Sequence, residues 1–367
     1  MATKTDLDSF RDPKLARELL DAIERLARGK NVNLMEVCGT HTVSIARYGL
    51  RSAMPEGVHL LSGPGCPVCV TSNHDIDTMI ALARIPDVIV TTFGDMIRVP
   101  GSSTTLGAER AQGRDVRVVY SPLDALAIAR ENPTRPVIFL GVGFETTTPA
   151  IGATILTAHD EGLGNFFVYS AHKRTPPAIM AIEDDPETQV NGFILPGHVS
   201  TITGLAPYRP LAERYHVPGV VSGFEPVDIL SAIARLLAQI DEGQARIENA
   251  YERGVLDEGN VVAQRMIDRV FEPCDATWRG LGVIPGSGSA IRPEFADHDA
   301  ARAFSPDVEP TVEPRGCRCG DVLRGVIAPD RCPLFGRACT AEHPVGPCMV
   351  SSEGSCAAYF RYQEHSR

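Results

Sequence analysis

Residues 32–42 read "VNLMEVCGTHT". The run 32–37 is short and mostly apolar, as a strand is, and it stops at Cys38. Gly39, Thr40 and His41 then form a strand-to-helix turn. A short apolar run, a small-residue loop and a helix together make the repeating unit of a parallel sheet covered on both faces. The unit recurs with "VHLLSG" (58–63), "DVIVTTF" (87–93), "VRVVY" (116–120), "PVIFLG" (136–141), "NFFVYS" (165–170), "NGFILPG" (191–197) and "VPGVVSG" (217–223). Helices are predicted over 12–28, 75–84, 122–132, 176–184 and 226–242.

Eight runs exceed what one small sheet needs. The pattern predicts an α/β protein with two parallel-sheet halves, residues 1–160 and 161–270. An eight-stranded barrel is the competing architecture, and the unequal helices argue against it. Beyond about residue 243 the pattern stops. Residues 243–270 read as helix, and "RGLGVIPGSGSAIRPEFADHD" (279–299) reads as a loop-rich connector. The third region, 271–367, ends in a cysteine tail too poor in apolar periodicity to bury a core of its own.

The chain has 367 residues, too many for one ordinary core, with 43% apolar and 22% charged residues, as in soluble globular proteins. A formal net charge of -11 without a lysine/arginine cluster disfavours nucleic acid as a partner. No apolar run approaches the roughly 18–20 residues that span a bilayer. The opening "MATKTDLDSFRDPKLARELL" lacks the apolar core of a signal peptide. A cytoplasmic location is expected, where thiols stay reduced.

Ligands of open parallel sheets bind beyond the carboxyl ends of the strands. The residues found there are Cys38; Cys66 and Cys69 of "SGPGCPVC"; Asp95; Glu145 of "GVGFETTTP"; His172; His198 and Ser200 of "LPGHVS"; and Glu225. Together they predict a cleft lined by metal ligands or proton carriers. Each has a bland reading too. A lone cysteine is often a small buried hydrophobe, Asp95 and Glu145 suit helix caps, and His172 and His198 suit hydrogen-bonded loops. At a helix N-terminus the Cys38 thiol is expected to have a lowered pKa, and His41 in the same turn is placed to share a metal or hold a proton. Cys66 and Cys69 have the spacing of a redox dithiol or half a metal site. No second pair at zinc-site spacing lies in the first 316 residues, so a dithiol is favoured. "GVGFETTTP" lacks a full Gly-x-Gly-x-x-Gly, and no P-loop is present.

Six of ten cysteines, Cys317, Cys319, Cys332, Cys339, Cys348 and Cys356, fall in the last 51 residues. Structural zinc prefers paired knuckles, whereas an iron–sulfur cluster tolerates irregular spacing. The spacing favours the cluster and leaves zinc open.

The motifs "MEVCGTHT", "SGPGCPVCVT", "GFETTTP", "PGHVSTITG", "RGLGVIPGSG" and "CPLFGRACTAEHPVGPCMVSSEGSCAAYFRY" resemble, in the same order, those of the HypD family of hydrogenase maturation factors. The resemblance covers essentially the chain after residue 30. It implies two α/β domains facing a cleft and a C-terminal domain holding a [4Fe-4S] cluster. It also implies a scaffold for the Fe(CN)2CO unit of [NiFe]-hydrogenase, an Fe(II) carrying CN and CO. The implied partners are a small HypC-type chaperone and a HypE-type protein that supplies cyanide as a thiocyanate. Carried onto this sequence, Cys38 is the thiolate for the nascent iron with His41 beside it, and Cys66 and Cys69 are the redox pair. Cys317, Cys332, Cys339 and Cys356 ligate the cluster, and Cys319 and Cys348 form a second redox pair. Glu145 and His198 belong to matched motifs at the cleft, and Cys274 matches none. Two departures stand out: Val43 replaces a second histidine common in the family, and Ser72 replaces a frequent proline.

Overall fold

The computed structural model describes residues 9–363. Residues 1–8, the start of the stretch inspected for a targeting signal, lie outside the described residues. All eight predicted strands form: β1 (Val32–Glu36), β2 (Val58–Ser62), β3 (Ile89–Thr92), β4 (Val116–Val118), β5 (Val137–Gly141), β6 (Phe166–Ser170), β7 (Gly192–Pro196) and β8 (Gly219–Ser222). β9 (Ile247–Asn249) lies within the stretch read as helix. The hairpin β10 (Phe271–Trp278) and β11 (Gly282–Ile291) replaces most of the expected loop connector. No helix among the described residues is long and apolar enough to cross a membrane.

The strands make two open parallel sheets and no barrel. One has the order β2-β1-β7-β8-β9 and the other β4-β3-β5-β6. This corrects the split at residue 160. β6 lies beyond that point but pairs with β5, Val137 opposite Phe166, while β7 returns to pair with β1, Leu34 opposite Gly192. The chain therefore lays down two strands, builds the whole second sheet, and comes back to finish the first. Neighbouring runs usually pair, and the apolar pattern carries no mark of the exception.

Parallel strands covered on both faces read as continuous apolar runs. β5 and β7 are buried at every position. Helices Pro13–Ala27 and Pro226–Asp241 cover one face of the five-stranded sheet, packing Ile23, Ile229, Ile233 and Leu236 on Leu34 and Ile194. Helix Thr148–Asp160, absent from the sequence reading, carries the β5–β6 crossover and buries Ile151 and Ile155 with Phe139 and Phe166.

The hairpin belongs to the four-stranded unit, so the boundary at 271 is also corrected. Lys173 bridges to Gly288, Trp278 stacks on Phe144 at 5.9 Å, and the Trp278 indole N–H donates to Ser287 Oγ at 2.8 Å. The cysteine tail builds no core of its own. Cys319, Cys339, Cys348, Met349, Val350 and Cys356 join the cluster of Ile76, Met79, Val90 and Ile138 beneath the four-stranded sheet.

Candidate functional site

The carboxyl ends of both sheets border one cleft of about 750 Å³. The five-stranded sheet contributes Cys38, Cys66 and His198, and the four-stranded sheet contributes Asp95 and Phe144. Ser351 and Glu353 of the tail complete the wall.

Cys38 caps helix Gly39–Arg47 and is 8% exposed, enough to present its thiol to the cleft. The expected lowering of its pKa is not found. Burial pushes the thiol up to about 12, and the nearby Glu353 carboxylate adds to that, against the weaker pull of the His41 and Thr40 N–H groups. The partial positive charge of one helix turn is small beside the cost of burying a thiolate. Cys38 is thus a neutral thiol near pH 7.

The loop that places it is tight. Gly39 N–H donates to Gly65 O at 2.9 Å, and a Cβ on Gly65 would lie 2.3 Å from the Cys38 nitrogen. Glycine at 65 is what lets the two thiol-bearing loops touch. Beneath them, the fully buried Glu36 accepts from the Cys38 N–H at 3.1 Å and from the Thr42 hydroxyl at 2.6 Å. Burial raises the Glu36 carboxyl to about 7, and the Thr42 hydrogen bond works against it.

His41 does not line the cleft. Its Nε2 is 2.9 Å from Gly223 O, an acceptor, so that nitrogen carries the proton. Nδ1 is buried with no hydrogen-bond partner among the described residues. Burial lowers the imidazole to about 4, so it is neutral near pH 7. His198 does face the cleft, stacked on Phe224 at 3.9 Å, and Phe224 also meets His41 at 4.8 Å.

The Cys-x-x-Cys pair is divided between two environments. Cys66 opens to the cleft and donates to Ser351 Oγ at 3.2 Å. Cys69 is fully buried one turn further along the short helix Pro67–Val70, its thiol in contact with those of Cys66 and Cys348. Burial holds the Cys69 thiol well above its ordinary value. Cys348 in turn touches Cys319 and Cys356, and Cys319 touches Cys317. The thiols of Cys66, Cys69, Cys348 and Cys319 therefore form a continuous line from the cleft into the tail.

All six tail cysteines face one small pocket, walled by Val322, Leu334, Phe335 and Met349. The donor set suits an iron–sulfur cluster: more than four soft ligands inside an apolar wall. The space between the converged thiols is only about 10 Å³, so holding a cluster requires the side chains to rotate outward.

Other predicted residues fall elsewhere. Glu145 lines a different cavity, where its carboxylate accepts from Thr175 N at 2.8 Å and Thr175 Oγ1 at 3.0 Å and so caps the helix Thr175–Glu183. Ser200 is buried beside the Tyr208 hydroxyl at 3.5 Å, and Glu225 is bound by Arg11 at the start of helix Pro226–Asp241. His172 is buried, with Nδ1 2.9 Å from Ser170 Oγ. Cys274 lies on the hairpin. Glu36, Phe224, Ser351 and Glu353 join the site without belonging to the set that follows the strand ends in sequence. The signals were there: a lone carboxylate in an apolar strand, and "SSEG" held between Cys348 and Cys356. Thr40 Oγ1 donates to Glu353 Oε1 at 2.8 Å, tying that tail segment to the Cys38 turn.

Two parallel sheets that aim their carboxyl ends at one thiol-bearing cleft, with a cysteine pocket behind it, define an α/β protein suited to soft-metal or dithiol chemistry. The profile described as "Hydrogenase formation hypA family" (HypD) matches residues 14–363. A "Hydrogenase maturation factor HypD" of Rhodobacter capsulatus is 48% identical over 364 residues, covering 96% of this chain and 97% of its own. That of Escherichia coli K12 is 41% identical, with 98% of each chain covered. A "Putative hydrogenase expression/formation protein" of Methanocaldococcus jannaschii is 42% identical, covering 97% of this chain and 99% of its own. The chain belongs to the HypD family of hydrogenase maturation factors.

Proposed function

We propose that this protein is the scaffold on which the Fe(CN)2CO unit of a [NiFe]-hydrogenase is assembled, with a HypC-type chaperone and a HypE-type cyanide donor as partners. The observation that carries the reading is the shared cleft. Cys38 and Cys66 line it together, and Cys69, the partner of Cys66, abuts Cys348 of the tail.

The iron is cargo, and Cys38 is its soft donor. Strong-field cyanide and carbonyl ligands favour low-spin Fe(II), which thiolate suits. Burial pushes the Cys38 thiol up to about 12, and it gives up its proton as the cation binds. His198 and Glu353 share the cleft as polar groups beside the incoming ligands.

Releasing cyanide from a thiocyanate takes two electrons. The Cys66–Cys69 dithiol holds two: R–S–CN and the dithiol become R–SH, HCN and the Cys66–Cys69 disulfide, and the proton leaves HCN as cyanide binds iron. A [4Fe-4S] cluster on Cys317, Cys332, Cys339 and Cys356 would supply electrons singly. Cys319 and Cys348 then remain as the thiols between that ligand set and Cys69.

The test is anaerobic co-production with the small chaperone, followed by infrared spectroscopy and iron and sulfide analysis. Cyanide and carbonyl stretching bands are expected in the wild-type protein and lost in Cys38→Ala. A fully cyanated iron in Cys66→Ala or Cys69→Ala would refute the dithiol role. Intact cluster without such bands would favour a cluster-dependent disulfide reductase. Stoichiometric zinc without iron or sulfide would overturn the cluster.

A further inference from the structure

The docking face described here rests on the proposed cluster. The six tail thiols are unequally covered. Cys319, Cys339, Cys348 and Cys356 are buried, whereas Cys317 and Cys332 are partly exposed. The two exposed positions are neighbours, with Cys332 Sγ 4.0 Å from the carbonyl of Gly316. Beside them a surface depression of about 230 Å³ leads to the same sulfurs; Arg279, Arg318, Cys317 and Cys319 line it with Glu313 and Asp321, which are taken up in ion pairs with Arg279 and Arg318. The cysteine pocket thus meets solvent along one edge.

That edge is basic in an acidic protein. Residues 315–337 carry five arginines and two aspartates, a net +3 in a chain of net -11. Arg324 is engaged by Asp185, Glu187 and Asp321, and Arg318 by Asp321. Arg315, Arg331 and Arg337 are exposed and form no ion pair among the described residues. They sit in the segments that meet at the edge: Arg315 adjoins Gly316, Arg331 adjoins Cys332, and the Arg337 N–H donates to the carbonyl of Leu334, which packs beside Gly316. Unpaired cations grouped in this way repel one another and are relieved by an anionic partner. The acidic remainder of the surface turns such a partner away, so the field guides it to this edge. Electron-transfer encounters have small contact areas and depend on charge complementarity for speed and orientation.

We infer that the Cys317–Cys332 edge, with Arg315, Arg331 and Arg337, is the docking face for a small acidic one-electron carrier protein. The reduced carrier loses one electron, the cluster held behind the edge gains it, and no atom is transferred.

The experiment uses the full chain, purified anaerobically, titrated with an oxidised acidic [2Fe-2S] ferredoxin. Binding is expected at low salt and is expected to weaken about tenfold or more between about 20 and 300 mM NaCl. The variant R315E/R331E/R337E is expected to lose about tenfold or more in affinity at low salt, while R110E/R114E, reversed at two exposed arginines elsewhere, stays within about twofold. Reduction by the reduced ferredoxin falls in parallel, and reduction by dithionite does not change. Unaltered affinity in the triple variant, salt-independent binding, or no binding at all overturns the docking face. Iron and sulfide content of the same samples reports on the cluster separately, so a failure of that reading is distinguishable from a failure of docking.

Discussion

Replacing Gly65 with alanine tests whether backbone contact between the two thiol-bearing loops shapes the cleft. The new Cβ would lie 2.3 Å from the Cys38 nitrogen, 2.5 Å from its Cα and 2.6 Å from the Val37 carbonyl carbon. Ordinary contact begins near 3.4 Å, so the loops must part by about 1.1 Å (3.4 less 2.3). All three atoms are backbone, and no rotamer change relieves them. Overpacking of this kind costs about 1–3 kcal/mol. The Gly39 N–H to Gly65 O bond lost with it adds about 1 kcal/mol. The expected loss is therefore about 2–4 kcal/mol, read as a lowered urea midpoint at unchanged slope. Gly164→Ala is the control, since its Cβ meets nothing within 4 Å; it should stay within about 0.5 kcal/mol. Separation of the loops should also speed alkylation of Cys38 relative to the parent, counted by mass spectrometry. Equal urea midpoints and equal Cys38 labelling in G65A and the parent would refute the reasoning.

Two other outcomes are expected. Burial, with Lys173 adding to it, lowers His172 to about 3, against about 6.5 in an unfolded chain. As pH falls below 6.5 the unfolded state takes the proton and the folded state does not, so stability declines from there toward pH 3. His172→Gln removes that contribution, and parallel pH–stability curves for parent and variant would contradict the assignment. Arg324 joins the tail to the loop after helix Thr175–Glu183 through Asp185 at 2.9 Å and Glu187 at 2.6 Å, and holds Asp321 at 2.7 Å. Arg324→Ala should cost about 1–3 kcal/mol and hasten limited proteolysis across residues 305–316, and an unchanged cleavage rate would show that the tail is held by its apolar contacts instead.

Much of this protein was legible in the chain itself. β5 and β7 are recognisable because strands covered on both faces need an unbroken apolar run. The reactive residues were legible as a set because parallel strands deliver the loops at their carboxyl ends to one edge. Sequence could not say which strand lies beside which. β6 and β7 are read alike, yet one joins β5 and the other inserts next to β1. Nor could it separate Glu145 from the cleft, since a helix cap and a catalytic carboxylate occupy the same position after a strand.

Local pattern and composition thus decided the eight strands of the βα units, the parallel class and the thiol inventory, because periodicity and cysteine spacing are properties of neighbouring residues. Only the tertiary structure decided that Cys69 faces Cys348 while Cys66 faces the cleft, that Glu353 closes on Thr40, and that Cys38 is a neutral thiol. Those depend on burial and on contacts between residues up to 313 positions apart, where desolvation outweighs the local pull of a helix turn.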